Sequence, residues 1–349
     1  MDSLTHICFG YVFARSTGLA RDRRQAAVAA GISALPDLDL LVQPFLSQTA
    51  RFAFHRGPSH SLLAGIVFAA ILLPLVRRLA RTGWLRAYLL ALLAFVGHTF
   101  YDLLTGYGTA VWWPLSARPV AWELVFVVDP VVTVLLLATV IGDLIGPGWA
   151  RWGSAGVRWA TGCCLALVAL YITVGGIGKH LVRREFRAHL RRELAVDVQR
   201  IHAEPTPLNN QLWYLCAETE NNYYHLYRSV WDGEAWESIG VVPRRQRPLL
   251  THRAHPLVQR MTALFRGWFT CLPTAGASEL VVVDMRLGRR YGWEDREAPY
   301  QFVYLMEADP DGELTWRLRR PDGSWSAARL LALWARVFGR VGAHAEAGT

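Results

Sequence analysis

LLAGIVFAAILLPLV, residues Leu62–Val76, runs for fifteen positions without a charge or a hydrogen-bonding side chain. It has neither the two-residue alternation of a half-buried strand nor the single stripe of a surface helix, so it suits an apolar solvent on every side. Ala87–Leu104 is nearly as apolar. With 52% apolar residues and a positive mean hydropathy, a 349-residue chain carrying such stretches would struggle to bury them in water. An integral membrane protein is the expected class.

Working outward, the pattern predicts six apolar helices, Leu4–Ala20, Gln25–Leu41, Ser59–Val76, Ala87–Thr105, Leu124–Ile145 and Val157–Gly178. The first two fall short of the roughly 20 residues of a full span, so they are expected to be shallow, tilted or packed against their neighbours. The start lacks a basic stretch and a small-residue cleavage site, and His6 is polar where a signal would be most apolar. The N-terminal segment is therefore expected to be retained.

The net charge of +9 comes mainly from arginine, gathered in alternate turns. Arg15, Arg21, Arg23 and Arg24 lie around the end of the first helix. Arg77, Arg78, Arg81 and Arg86 follow the third, and Arg151 and Arg158 follow the fifth. By the positive-inside rule these turns are cytoplasmic, and topology with lipid headgroups explains the charge better than nucleic acid does. Against this orientation, Lys179, Arg183, Arg184, Arg187, Arg191 and Arg192 follow the sixth helix, although charges leading into a long domain count for less. Cys8, Cys163, Cys164, Cys216 and Cys271 show no CxxC spacing, and of these only Cys216 with Cys271 is a plausible disulfide pair.

From Glu185 aromatic residues alternate with charges. Leu212–Cys216, Tyr223–Trp231, Glu279–Met285 and Tyr300–Met306 read as strands, and Asp232-Gly233 and Asp322-Gly323 as turns. Pro256–Phe265 and Ala327–Phe338 read as amphipathic helices, and Ala343–Thr349 as a frayed tail. The expected architecture is a membrane α-helical bundle over residues 1–180 and an extramembrane α+β domain over 185–349. Neither internal repeats nor low-complexity tracts stand out.

Set into the apolar half are His6, Asp37, Asp39, His55, His60, His98, Asp102 and Asp129. Following the helices back and forth brings all eight to the non-cytoplasmic end, a coincidence that scattered structural polar residues would not produce. Ionisable groups in such surroundings are costly unless paired or bound to a cation. His98 and Asp102, four apart, share a helix face and can reach one ion; the plainer reading is an interhelix hydrogen bond and a turn cap. Pro36-Asp37-Leu38-Asp39 places two hard oxygen ligands after a helix-ending proline, where the plainer reading is an acidic turn at the membrane surface. In His55-Arg56-Gly57-Pro58-Ser59-His60-Ser61, Ser59 is a natural N-cap and Arg56 a fork for phosphate or carboxylate, with a capped helix and two interfacial histidines as the bland alternative. Glu123, near Asp129, is the candidate proton acceptor, or equally a solvated interfacial carboxylate.

Eight candidates exceed the three or four groups of one catalytic zinc, so two ions share the site or some residues orient others. Imidazole with carboxylate and no cysteine points to zinc, manganese or iron in an open hydrolytic site. Asp2-Ser3-Leu4-Thr5-His6, Pro36-Asp37-Leu38-Asp39, His55-Arg56-Gly57 with Ser59-His60-Ser61, Gly97-His98 with Asp102-Leu103-Leu104-Thr105, Tyr107-Gly108-Thr109 and Val128-Asp129-Pro130 resemble, in order, the motifs of the YdjM-like membrane-bound metal-dependent hydrolases. Ser59 stands where that family commonly has threonine. The resemblance implies an integral inner-membrane hydrolase whose metal is held by these His and Asp residues. A fainter similarity of ligand mix to zinc-dependent phospholipase C and related nucleases makes phosphoester cleavage the favoured reaction.

The expected activity is metal-assisted hydrolysis of an ester or phosphodiester in a lipid or lipid-linked substrate from the outer leaflet, with Arg56 and Ser59 holding the anionic group. Two rivals stand beside it. A metal-handling or transport protein would spread ligands through the membrane depth, and an interaction module would use the membrane half only as an anchor. His252 and His255 are assigned to solvated surface, and the aromatic strands are expected beside the mouth of the site.

Overall fold

The structure is a computed structural model and describes residues 2–47, 50–51, 54–146, 153–273, 279–308 and 314–339. Arg151 and the tail Ala343–Thr349 lie outside the described residues. The chain divides into two compact units, Met1–Val174 and Gly175–Thr349.

In the first unit, α1 (Ser3–Ser16) packs against α2 (Arg23–Ser33), followed by 3-10 turns at Pro36–Leu41, Gln43–Phe45 and Pro58–His60. Then come α3 (Leu62–Ala80), α4 (Trp84–Leu103), α5 (Pro130–Ile145) and the start of the 42-residue α6 (Gly153–Leu194), whose residues from Gly175 onward belong to the second unit. Four segments among the described residues are long and apolar enough to cross a membrane: Arg23–Phe45, Leu62–Ala80, Trp84–Leu103 and Gly153–Leu194. On α3, Ile66, Phe68, Ile71 and Leu75 stay exposed. Such a face is at ease only against lipid. Gly10 lets α1 and α2 approach, since a Cβ there would stand 2.6 Å from that of Ser33.

At one end of this unit, arginines cover the orphan carbonyls of helix termini. Arg24 donates to the Leu79 carbonyl in the last turn of α3, and Arg86 donates to the Gly18 and Leu19 carbonyls of the loop that follows α1, at 3.3 Å. There too, Arg15 Nε meets Asp143 Oδ2 at 2.8 Å, and the Tyr11 hydroxyl donates to the same oxygen at 2.9 Å. Both charges are buried, joining the ends of α1 and α5.

The second unit holds two antiparallel four-stranded sheets. One is ordered β1 (Arg200–Pro205), β2 (Leu212–Glu218), β3 (Asn222–Ser229) and β4 (Gly240–Pro243). The other is ordered β5 (Phe269–Leu272), β6 (Glu279–Asp284), β7 (Val303–Ala308) and β8 (Leu314–Arg319). Helices α7 (Arg247–Leu250), α8 (Pro256–Leu264) and α9 (Ala327–Val337) complete it. β2 is buried along its whole length because both faces are covered. Leu212, Tyr214 and Cys216 pack with Trp268, Val283 and Met285, whereas Trp213, Leu215 and Ala217 pack with Val182, Phe186 and Leu190 of α6. That stripe, repeating every four residues, carries α6 sixteen residues beyond the Gly178 end expected from hydropathy. His255 is the N-cap of α8, its Nδ1 accepting the Leu257 N–H at 3.2 Å.

Removing one member of the Arg15–Asp143 pair leaves a buried charge unmatched. Arg15→Ala or Asp143→Ala should each cost about 3–5 kcal/mol, and Arg15→Met with Asp143→Leu markedly less, in thermal unfolding of the detergent-solubilised chain. In β3, burial and then the Arg289 charge lower the His225 pKa to about 4. A group that must stay neutral stabilises fully above its unfolded pKa of about 6.5, and that stability fades as pH falls toward 4. Amide hydrogen exchange in β3 should report about 3 kcal/mol lost over that window, and His225→Gln should flatten the loss.

Candidate metal centre

Asp2 starts α1 by accepting the Thr5 N–H and hydroxyl, each at 2.8 Å, which sets the buried His6 in the first turn. Pro36 has no N–H to continue α2, so the chain tightens into the 3-10 turn that carries Asp37 and Asp39. A second 3-10 turn, again begun by proline, carries Ser59 and His60. His98 and Asp102 lie in the last turns of α4, where both are fully buried.

Four donor atoms converge from these elements. His60 Nε2 stands 3.5 Å from both Asp37 Oδ1 and Asp102 Oδ2. His98 Nε2 stands 3.7 Å and 3.5 Å from the same two oxygens. Tetrahedral ligands held 2.0–2.2 Å from one ion are about 3.3–3.6 Å apart, so the spacing fits a small divalent cation. The chemistry agrees: His60 Nε2, His98 Nε2 and Asp37 Oδ2 are buried with no hydrogen-bond partner among the described residues. Leaving such atoms unmatched would be costly. Among the described residues two metal-capable groups emerge, His6 with His98 and Asp102, and Asp37 with His55 and His60, each with ligand atoms within 4.8 Å of one another.

Outer partners aim the imidazoles. His98 Nδ1 lies 2.7 Å from the Ser33 carbonyl, which can only accept, so Nδ1 carries the proton and Nε2 presents its lone pair. Ser59 donates its hydroxyl proton to Asp39 Oδ2 at 2.7 Å, so its oxygen accepts from His60 Nδ1 at 3.0 Å, and Nε2 is again left as the ligand atom. Asp39 Oδ1 holds His55 Nδ1 at 2.9 Å. His6 stacks on His98 with centroids 3.7 Å apart, and its Nε2 lies 3.2 Å from Asp102 Oδ1. Burial opposes charging His60, but Asp37, Asp39 and Asp102 outweigh it and raise the pKa above the ordinary imidazole value.

Several expectations are corrected by the geometry. Arg56 was expected to present a free fork to an anionic substrate, yet it is 4% exposed. Its Nη2 meets Asp102 Oδ1 at 2.8 Å, and its Nη1 donates to Thr105 at 2.7 Å. Its backbone adopts φ 57°, and its carbonyl accepts the Ala110 N–H. Ser59 does not cap α3; Ser61 does, because the turn at Pro58–His60 delays the helix. Asp129 stands outside both groups: Oδ1 accepts Val131 and Val132 N–H groups as the N-cap of α5, and Oδ2 accepts the Tyr171 hydroxyl at 2.8 Å. Those bonds account for its burial without an ion. Glu123 also lies outside both groups, in a segment held against the end of α4 by Trp122 and Leu124 N–H groups on the Leu103 and Leu104 carbonyls.

Sequence reasoning missed Ser33, Thr105 and Tyr171. None carries a charge or a metal-ligand signature, and Ser33 acts through its backbone carbonyl, which every residue has.

No solved structure matches the chain. A Bacillus subtilis (strain 168) protein, Uncharacterized protein YfhP, is 28% identical over 204 residues, a stretch covering 57% of this chain and 56% of that relative's length. The YdjM inner membrane protein family matches residues 1–181, the part that contains α1 to α5, both metal-capable groups and α6 as far as residue 181. On that match across more than half of its length, the chain belongs to the YdjM inner membrane protein family.

Proposed function

We propose that this protein is a membrane-bound metal-dependent hydrolase acting on an ester, with a phosphodiester of a lipid or lipid-linked molecule favoured. The observation that carries the reading is that His60 Nε2 and His98 Nε2 each stand 3.5–3.7 Å from Asp37 Oδ1 and Asp102 Oδ2, as nitrogen and oxygen ligands of one small cation would. Mixed nitrogen and oxygen donors favour zinc, with manganese or iron as alternatives. A divalent cation, when bound, would supply Lewis acidity toward water and an ester oxygen. His6, beside Asp102, and His55, beside Asp39, are positioned to join if a second ion is taken. Arg56 fixes Asp102, and Ser59 fixes the His60 tautomer. Glu123 is our candidate proton acceptor, because its backbone is held at the end of the helix that bears His98 and Asp102.

In this reading α1 and α5, of 14 and 16 residues, join the four longer segments in a six-helix membrane unit. The arginine end faces the cytoplasm and the site opens to the other side, as does the C-terminal domain. That end of the unit also speaks against a metal-handling or transport protein. Its buried carboxylate, Asp143, is already matched by Arg15 and Tyr11, which leaves no strong ligand for onward transfer there among the described residues.

Elemental analysis of the detergent-purified chain should find at least one equivalent of a divalent metal, lost in His60→Ala and Asp102→Ala. Asp39→Ala should retain a site weakened about 10–100-fold, whereas Asp129→Asn should keep the ion, since asparagine also caps a helix. Full retention of metal in Asp102→Ala would refute the assignment. In a panel of phosphodiesters and carboxylesters, the metal-loaded chain should turn over a phosphodiester, stop on chelation, and lose turnover but not metal in Glu123→Gln. Metal in stoichiometric amount with no turnover of either ester would transfer the reading to metal handling.

A further inference from the structure

We propose that the arginine end of the helical unit, remote from the metal centre, carries a binding site for the headgroup of an anionic phospholipid. A groove of about 490 Å³ opens between the end of α1 and the first turns of α6, lined by Ser16, Ala155, Arg158, Trp159, Gly162 and Cys163 among others. Positions 155, 159 and 162 recur at helical spacing, so they form one wall. Ala155 and Gly162 keep that wall low, and Trp159, 76% exposed, stands on it as an interfacial aromatic would. Arg158 lies over Gly18, where a Cβ would meet its Cζ at 3.2 Å. Gly18 also has φ of 73°, so the close approach and the backbone both call for glycine.

The charge around the groove selects the occupant. Arg15, Arg21, Arg23, Arg24, Arg77, Arg78, Arg81, Arg86 and Arg158 gather at this end, against Asp22 and Asp143. Both acids are engaged: Asp22 caps α2, and Asp143 pairs with Arg15. The Phe13 carbonyl of α1 accepts from the Ser16 and Thr17 hydroxyls and the Gly18 carbonyl just beyond α1 accepts from Arg86, so these acceptors near the groove are already engaged among the described residues. Farther along α6, Leu167 and Leu170 are more than half exposed and provide an apolar track for acyl chains. A lipid phosphate beside Arg158 with its chains along α6 satisfies both halves of the surface. A zwitterionic headgroup brings its own cation into the same positive field, so net-negative lipids such as phosphatidylglycerol are preferred.

Cys163 lies in the groove and is exposed, whereas Cys8, Cys164, Cys216 and Cys271 are buried. A small fluorophore on Cys163 of the full chain, reconstituted in phosphatidylcholine vesicles, reads local lipid occupancy by quenching with brominated lipids. Brominated phosphatidylglycerol should quench with about fivefold higher relative affinity than brominated phosphatidylcholine, the value of one basic contact. Arg158→Gln should abolish the preference while metal content stays unchanged, and Arg158→Lys should keep most of it. Anionic lipid retained by the unlabelled chain, counted by mass spectrometry, should fall in the same variant. Equal quenching by the two lipids, or a preference indifferent to Arg158→Gln, would overturn the proposal.

Discussion

Asp102 has no access to water, and a carboxylate in that position must be surrounded by groups that favour its charge. The ends of several elements meet this demand together. The loop before α3 supplies Arg56, α1 supplies His6, the Pro58 turn supplies His60, and the preceding turn of α4 supplies His98. Local structure therefore has to deliver each group at a terminus. The two proline-led 3-10 turns and the Asp2 cap do so, because each fixes where regular helix begins or stops.

The opposite end of the unit solves a different problem with different residues. Helix termini in an apolar medium leave carbonyls without partners, and arginine reaches them while its head stays near water. Arg24 acts in this way at the end of α3, and Arg86 does the same for the loop that follows α1, so arginines that the positive-inside rule counts as topological charges also satisfy backbone carbonyls. The unit is thus divided along its length: most of its buried carboxylates and imidazoles lie at one end, with Arg56 among them, and most of its guanidinium groups at the other, where Asp143 is matched by Arg15. A site built from donors that need deprotonating is kept apart from the densest positive charge, which would compete with a cation.

How much of this was legible in the sequence depends on which property carried each feature. The apolar stretches and the pairing of His98 with Asp102 rest on hydropathy and helical period, and both are read directly from residue type. β2 and β3 announced themselves through aromatic alternation. The continuation of α6 did not, because Val182, Phe186 and Leu190 are dispersed among arginines and only the face they share marks them as core. Asp129 and Asp102 look alike as letters. What separates them is that Asp129 precedes Pro130, where its carboxylate closes on two backbone N–H groups, whereas Asp102 lies inside a helix whose backbone is already bonded. A guanidinium beside two histidines suggests substrate binding, and only the fold reveals that Arg56 meets Asp102. Ser59 and Ser61 both have the chemistry of a cap, and the deciding fact is the turn at Pro58, a matter of backbone geometry.

The charge balance of the centre bears on how many ions it would take. Asp37, Asp39 and Asp102 contribute three negative charges and Arg56 one positive. The partners of His98 and His60 fix these imidazoles as neutral ligands when the cation is bound, leaving a net charge of −2. One divalent cation neutralises that sum. The raised pKa of His60 belongs to the same account, since a proton at that imidazole offsets part of the excess negative charge when no cation does. A second ion would leave the buried site at +2 unless it arrived with anionic ligands of its own, and a phosphodiester or a hydroxide is such a ligand. A single divalent cation would therefore balance the charge of His60, His98, Asp37, Asp102 and their partners, and a second would do so only in the company of an anion.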